Sequence, residues 1–199
     1  MSKILFIKAN PKSDNESNTF KLANVFIEEY KSNNPDDEII TLDLYKENIK
    51  HLDGEMLRGI FAGEDNEVKR HAELFASADK YVIAAPMWNL SIPSILKSYI
   101  DYVSYVGITF KYTENGAVGL LAGKNKKAVH VVTRGGMYSE GPAKEYELGD
   151  KYLRTLLGFL GIYDVETLSL ELTNVLQGEE LEAARDKSNE RAREMAKTF

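Results

Sequence analysis

Three apolar runs constrain this chain more than anything else in it: Ile4-Leu5-Phe6-Ile7, Tyr81-Val82-Ile83-Ala84-Ala85 and Ala128-Val129-His130-Val131-Val132. Each has the length of a strand and shows continuous apolarity where a half-exposed strand would alternate, so each has to be buried on both faces of a sheet. Strands of that kind need helices above and below them. Two further runs complete the set: Glu38–Leu44, whose acids place it near an edge, and Val165–Leu170. Between the five runs the apolar residues switch to a period of 3.6. Phe20, Ala23, Val25, Phe26, Ile27 and Tyr30 form one set, and Val68, His71, Ala72 and Phe75 another. Ile95, Leu96, Tyr99, Ile100 and Val103 form a third, Tyr152, Leu153, Leu156, Leu157 and Leu160 a fourth, and Leu181, Ala184, Ala192 and Met195 a fifth. Gly63 divides the helical stretch Asp53–Asp79 in two, Ser91 and Pro93 predict a helix start near Ile92, and a helix is expected over about Lys144–Leu160. This alternation predicts a doubly wound five-stranded parallel sheet of order 2-1-3-4-5 in one domain spanning residues 1–199.

In that order, ligands sit outside the carboxyl ends of strands 1, 3 and 4. Those three ends carry the three unusual loops of the sequence. Ala9–Ser17 is rich in hydroxyls and amides and leads directly into a helix, which offers main-chain N–H groups and a helix dipole to an anion. Asn15 or Ser17 alone would equally serve as a helix cap. The loop has neither a Walker pattern nor Gly-x-Gly-x-x-Gly, so a phosphate there would be held by hydroxyls, amides and main chain, without a dedicated lysine. Pro86–Leu90 brings Met87, Trp88 and Asn89, and Thr133–Tyr138 brings Gly135-Gly136, which allows close backbone approach or a positive φ. A phosphate pocket beside an aromatic and glycine-rich pair of loops points to a mononucleotide with a flat ring, and flavin mononucleotide (FMN) is the flat ring that such folds commonly hold. Between strands 3 and 4 lies an excursion, Ile108–Lys124, with a strong turn signal at Asn115-Gly116. Chain geometry puts it near the site.

Composition removes several function classes. The sequence has no cysteine, which excludes disulfides, thiolate nucleophiles and Cys-ligated metals. A formal charge of −6 without a local basic patch argues against a nucleic-acid partner. No apolar run approaches the ~20 residues of a membrane span, and the N-terminus enters a strand with too few apolar residues for a signal peptide. A soluble, cytoplasmic protein without a membrane partner is expected. His71 reads as a helix-face residue and His130 as a packed or hydrogen-bonded core residue, with no metal site at either. Hydrolase chemistry lacks a Gly-x-Ser-x-Gly elbow and a His-Glu-x-x-His motif.

The combination Pro86-Met87-Trp88-Asn89, Lys97-x-Tyr99-x-Asp101, Gly107-Ile-Thr-Phe-Lys-Tyr-Thr-Glu-Asn-Gly116, Gly119-Leu120 and Thr133-Arg-Gly-Gly136 closely resembles the FMN-dependent NADH-azoreductases. These are flavodoxin-like NAD(P)H:quinone oxidoreductases, and the likeness runs from Met1 into the C-terminal helix. Carried over position by position, it implies phosphate and ribityl contacts at Asn10, Asn15, Glu16 and Ser17. It implies ring contacts at Met87, Trp88, Asn89 and Leu90, and pyrimidine-side contacts at Thr133, Arg134, Gly135 and Gly136. Position 10 is Asn where many relatives have Ser, and the chain is shorter than several relatives between about Phe61 and Lys69. The resemblance implies FMN as bound cofactor and NADH as co-substrate, with NADPH open as the alternative. A ping-pong transfer of electrons to quinone, azo or nitroaromatic acceptors is implied, and so is a symmetric homodimer. No side chain is required as an acid or base; Tyr138 is a candidate for polar help at the acceptor. Phe110 and Tyr112 either wall the substrate slot or pack in a subunit interface. The rival is a flavodoxin-type electron carrier that binds FMN and turns over no small molecule.

Overall fold

The computed structural model describes residues 1–199. Its strands and helices follow in the order β1 (Lys3–Lys8), α1 (Asn18–Asn33), β2 (Glu38–Asp43), α2 (Gly54–Ala62), α3 (Glu67–Ser77), β3 (Lys80–Ala84) and α4 (Ser94–Val103). After these come β4 (Phe110–Thr113), β5 (Gly116–Gly119), β6 (Lys127–Thr133), a 3₁₀ turn (Pro142–Tyr146), α5 (Gly149–Leu160), β7 (Asp164–Leu170) and α6 (Gly178–Thr198). The main sheet has the order β2-β1-β3-β6-β7 with every pair parallel, which is the expected order in the five main strands. The excursion is an antiparallel hairpin, β4–β5.

Both faces of the three central strands are buried, as their continuous apolarity demands. Leu5, Ile7, Tyr81, Ile83 and Ala128 pack against α3, α4 and α5, while Ile4, Phe6, Val82, Ala84, Val129 and Val131 pack against α1 and α6. The edge strands β2 and β7 are only partly covered. Two helix boundaries differ from expectation. The fourth helix begins at Ser94 with Pro93 at its N-cap and no side-chain cap, because the main chain of Ser91 is engaged in a two-way bridge with Trp88. The stretch before α5 is a 3₁₀ turn instead of helix, so α5 begins at Gly149. In α6 only the C-terminal half of the expected stripe is fully buried, at Ala192 and Met195, while Leu181 and Ala184 are half-buried and Ala184 packs at the margin of the same core.

The hairpin is the largest departure. Strand C-termini lie at one edge of a parallel sheet and the following helices run back to the other. The hairpin docks on the far end of α5: Leu121 N–H donates to Leu160 O at 3.0 Å, and a Cβ on Gly119 would stand 2.3 Å from the Leu160 carbonyl carbon. The near end of α5 touches the loop after β3, where Leu148 N–H donates to Leu90 O at 3.0 Å. Twelve helical residues, about 18 Å, therefore separate the excursion from this chain's own strand-end loops.

His130 is a core histidine, 2% exposed, whose Nδ1 donates to Asp150 Oδ1 at 3.0 Å. Asp150 also accepts from Thr167 Oγ1 at 2.7 Å and Arg154 Nε at 2.7 Å. This tetrad joins β6, β7 and the first turn of α5. Burial raises the Asp150 carboxyl, but the bonds from His130, Thr167 and Arg154 outweigh it and hold the group well below the usual carboxylate range. His71 is buried on α3 against Tyr99 and Tyr102, and no group of residues forms a metal site. No helix is long and apolar enough to cross a membrane.

Two stability measurements check this packing. Gly161 has φ +101° and a Cβ there would meet Ala122 N at 2.3 Å, so Gly161→Ala should lower unfolding free energy by about 3 kcal/mol in urea titration. Asp150→Asn should cost about 2 kcal/mol at pH 7. Because the folded value lies below the ordinary one, the carboxylate's contribution is complete above about pH 4 and fades as pH falls toward the folded value. The gap between Asp150→Asn and wild type should therefore narrow below pH 4.

Candidate functional site

The carboxyl ends of β1, β3 and β6 open into a cleft of about 260 Å³. Asn10, Glu16, Ser17, Met87, Trp88, Thr133 and Gly135 line it, so residues up to 125 positions apart in the sequence close into one place. The ladder continues past the strands: Ala9 N–H donates to Ala84 O at 2.9 Å and Met87 N–H to Thr133 O at 3.0 Å. These bonds hold the three loops at a common level.

In the first loop, Asn10 is buried and its Nδ2 donates to Ser17 Oγ at 3.0 Å, while its Oδ1 accepts from Lys12 N–H at 3.2 Å. Ser17 is the N-cap of α1 and accepts from Phe20 N–H at 3.2 Å. Asn10 and Ser17 thus shape the loop, and their remaining capacity faces the cleft. The main-chain N–H groups of Asn18 and Thr19, in the first turn of α1, have no acceptor in the chain, which is the arrangement that receives an anion at a helix start. Glu16 lies at the rim, where Ser13 hydroxyl and N–H hold its carboxylate below the ordinary range. Asn15 is exposed and does not line the cleft. Lys12 does, placing a cation where hydroxyls and amides alone were expected. Lys8 is turned away, buried in an ion pair with Asp14.

The second loop is a tight two-residue turn. Trp88 N–H donates to Ser91 O at 2.9 Å and Ser91 N–H returns to Trp88 O at 3.0 Å, with Asn89 at φ 48° and Leu90 at φ 69° between them. Two central residues at positive φ are characteristic of a type I′ turn, for which Asn is well suited and Leu is not. A leucine held there stores about 1–3 kcal/mol of strain. The turn raises the Trp88 indole, 39% exposed, at the mouth of the cleft and leaves the N–H groups of Asn89 and Leu90 without acceptors.

In the third loop Thr133 Oγ1 lies 2.6 Å from Thr19 Oγ1, tying the loop to α1. Neither glycine has positive φ; the need is for space. A Cβ on Gly135 would meet Asn174 Nδ2 at 2.5 Å, and one on Gly136 would lie 3.2 Å from the Tyr138 ring. Arg134 has its guanidinium buried away from the cleft, paired with Glu147 at 3.3 Å and Glu171 at 3.1 Å. Its main chain is engaged as well, the N–H donating to Leu170 O at 2.9 Å and the carbonyl accepting from Thr173 N–H at 3.1 Å, so Arg134 holds the loop and offers no group to the cleft. Tyr138 is half-buried on the outer side of the same loop.

Phe110 and Tyr112 are on the docked hairpin. Phe110 packs on Phe159 at 5.2 Å and on Tyr112 at 5.5 Å, and Tyr112 is 71% exposed. The α5 spacing keeps both out of this chain's own cleft. Sequence reasoning missed Lys12, Thr19, Thr173 and Asn174, all of which line the cleft. Thr173-Asn174 follows the edge strand β7, outside the three strand ends that the fold rule selects; a short polar step directly after a strand was the available signal.

The donor set fits FMN. The free N–H groups and Lys12 suit a phosphate, and a cleft this small encloses one end of the ligand while Trp88 receives a flat ring at the mouth. A larger opening of about 500 Å³ lies beyond the Thr133–Tyr138 loop, walled by charged groups such as Lys144, Glu147, Arg154 and Arg191. With so little apolar surface it is a poor seat for a flavin ring.

Likeness to known proteins agrees with this geometry. A family model described as flavodoxin-like fold matches residues 2–196. An FMN-dependent NADH:quinone oxidoreductase of Clostridium perfringens is 56% identical over 204 aligned positions, covering all of both chains, and one of Caldicellulosiruptor saccharolyticus is 50% identical with the same coverage. Among solved structures, an azoreductase from Bacillus anthracis str. Sterne superposes over all of both chains with a TM-score of 0.90 at 37% identity. An FMN-dependent NADH-azoreductase from Bacillus anthracis str. Ames Ancestor, solved in complex with FMN, gives a TM-score of 0.86 at 31% identity over 98% of this chain and all of that one. A strand-end cleft built for a phosphate and a flat ring, in a chain alike over its whole length to these enzymes, makes this protein a member of the flavodoxin-like family of FMN-dependent NADH:quinone oxidoreductases and azoreductases.

Proposed function

We propose that this protein is an FMN-dependent NADH oxidoreductase that reduces quinones and azo compounds, and that residues 1–199 work as one flavin-binding domain. The observation that carries this is the set of acceptor-free main-chain N–H groups at all three strand ends, at Asn18 and Thr19, Asn89 and Leu90, and Gly135 and Gly136. Buried N–H groups seldom stay unpaired, so the weight falls on Thr19, which is buried, and on Asn18, Gly135 and Gly136, which are half-buried, while the exposed turn at Asn89 and Leu90 adds donors at the mouth.

When bound, FMN supplies the redox chemistry, accepting two electrons as hydride from NADH and delivering them to the acceptor in a ping-pong sequence. The chain supplies binding and orientation. Asn18 and Thr19 N–H, with Lys12 at the rim, bind the phosphate; Asn10 and Ser17 fix that loop; Glu16 is placed to reach the ribityl chain. Asn15, exposed beside them, closes the outer side of the loop. Trp88, with Met87, Asn89 and Leu90, bears one face of the ring. Gly135 and Gly136, following Thr133 in the loop, present N–H groups to the ring edge that gains negative charge on reduction, and Arg134 supports the loop from behind through its guanidinium. Tyr138, next to Gly136, offers its hydroxyl to the acceptor. The same flat slot takes quinone, azo and nitroaromatic acceptors in turn, and NADPH is the alternative donor. The cytoplasm is the proposed location, since the reaction draws on a NADH pool.

The hairpin supports a proposed assembly. Tyr112, Phe159 and Tyr163 stand exposed together at the far end of α5, an aromatic patch that one chain leaves uncovered. We place it against a second copy in a symmetric homodimer, where Phe110 and Tyr112 of each subunit reach the cleft of the other.

Purified protein should show a flavin spectrum after incubation with FMN, and should oxidise NADH only when a quinone or an azo dye is added. A protein that takes up no FMN would refute the proposal; flavin without acceptor-dependent NADH oxidation would make the protein an electron carrier. Trp88→Ala should raise the dissociation constant for FMN about tenfold, read by fluorescence quenching. Sedimentation at micromolar concentration should give a dimer, and Tyr112→Ala should slow turnover without changing the melting temperature by more than about 2 °C.

A further inference from the structure

Glu171, the residue directly after β7, controls both ends of the Thr133–Tyr138 loop. One carboxylate oxygen accepts from Arg134 Nη1 at 3.1 Å and from Tyr138 N–H at 2.8 Å, and the other accepts from the Ser139 hydroxyl. The second guanidinium nitrogen of Arg134 reaches Glu147 at 3.3 Å, and Glu147 also receives Asp150 N–H at the start of α5. Glu171 and Arg134 are both nearly buried. Burial raises the Glu171 carboxyl, but Ser139, Tyr138 N–H and Arg134 together hold it below its ordinary range, so it stays ionised at neutral pH.

The residues that follow Glu171 complete the hold. Leu172, at φ 61°, turns the chain so that three successive carbonyls of the loop are taken up: Arg134 O by Thr173 N–H at 3.1 Å, Gly135 O by Asn174 N–H at 3.1 Å, and Gly136 O by Leu172 N–H at 3.2 Å. Every peptide bond in the chain is trans, and in a trans peptide the C=O and the next N–H point in opposite directions. Anchoring those three carbonyls on the Leu172–Asn174 side therefore turns the N–H groups of Gly135, Gly136 and Met137 away from it, and none of the three has an acceptor in the chain. We propose that Glu171 is a positioning residue: by fixing Arg134, Tyr138 and Ser139 it sets the aim of these three N–H groups, and through them how strongly the site favours a flavin ring in its charged, reduced form. This rests on the cleft binding FMN as proposed above. Glu171 itself touches neither ring nor substrate.

The test compares full-length wild type with Glu171→Ala and Glu171→Gln. Three quantities are read: the FMN dissociation constant, the two-electron reduction potential of the bound flavin, and amide hydrogen exchange at Tyr138 in the flavin-free protein. Glu171→Ala should raise the dissociation constant and the Tyr138 exchange rate at least tenfold. It should weaken binding of reduced FMN about tenfold more than oxidised FMN, a potential drop of about 30 mV. Exchange in β6 should stay at the wild-type rate. Glu171→Gln keeps an acceptor for Tyr138 N–H but loses the charge, and should change the dissociation constant and the exchange rate about threefold. If Glu171→Ala does not fold, Glu171→Gln decides alone. Wild-type values of all three quantities in the variants that fold overturn the positioning role while leaving the functional proposal intact. Failure of wild type to bind FMN overturns both, and the exchange data then report only on the loop.

Discussion

Parallel pairing among β1, β3 and β6 is the constraint on which everything else in this protein depends. These strands are buried on both faces, so helices have to cover both, and each connection has to travel back the length of the sheet before the next strand begins. All strand C-termini then face one edge and all helix C-termini face the other. The cleft is a consequence of that polarity: three loops with little in common in sequence are carried to one level because Ala9, Ala85 and Met87 continue the ladder beyond the strands. The same polarity sends the hairpin after α4 to the opposite edge.

Around the cleft the chain treats its polar groups in two ways. Those that shape the loops are satisfied internally: Asn10 with Ser17, Thr19 with Thr133, Arg134 with Glu147 and Glu171. Others are left open, with main-chain N–H groups that have no acceptor in the chain at the first turn of α1, at the Asn89-Leu90 turn and along Gly135–Met137. Holding leucines at positive φ at positions 90 and 172 is unfavourable in isolation, and both positions border segments whose N–H groups are aimed by the turn. The rigid half of the site exists to orient the open half, which suits a protein whose chemistry belongs to a cofactor and whose own task is geometry and electrostatics.

Much of this was legible in the residues. Continuous apolar runs named the buried strands, the 3.6 period named the helices, and the polarity of a doubly wound sheet selected the loops after Ile7, Ala85 and Val132. The histidines were legible as well: His130 sits in an apolar run and finds one partner, Asp150, while His71 lies on the buried face of α3 against Tyr99 and Tyr102. What local pattern could not carry was partnership over distance. Ser91 has the chemistry of an N-cap, but its main chain pairs with Trp88, and the helix starts later. Arg134 lies between two cleft-lining residues in sequence, Thr133 and Gly135, yet its side chain points to two nearly buried carboxylates, Glu147 and Glu171, contributed by other parts of the chain. Gly135-Gly136 suggested close backbone approach to a ligand or a positive φ; the φ is not positive, and the space at Gly135 is taken by Asn174, 39 residues further on.

The sequence by itself determined the class of fold, the strand order and the three loops at the strand ends, because burial on two faces and the hand of parallel crossovers leave few alternatives. Its motifs determined the family. Tertiary structure alone decided which side chains of those loops line the cleft and which hold the loop, since that choice depends on partners such as Asn174, Glu147 and Glu171 that lie far off in the chain. It also decided where the aromatic excursion belongs. Twelve residues of helix stand between Tyr112 and this chain's own cleft, and no local periodicity encodes which edge of a sheet a returning helix will reach.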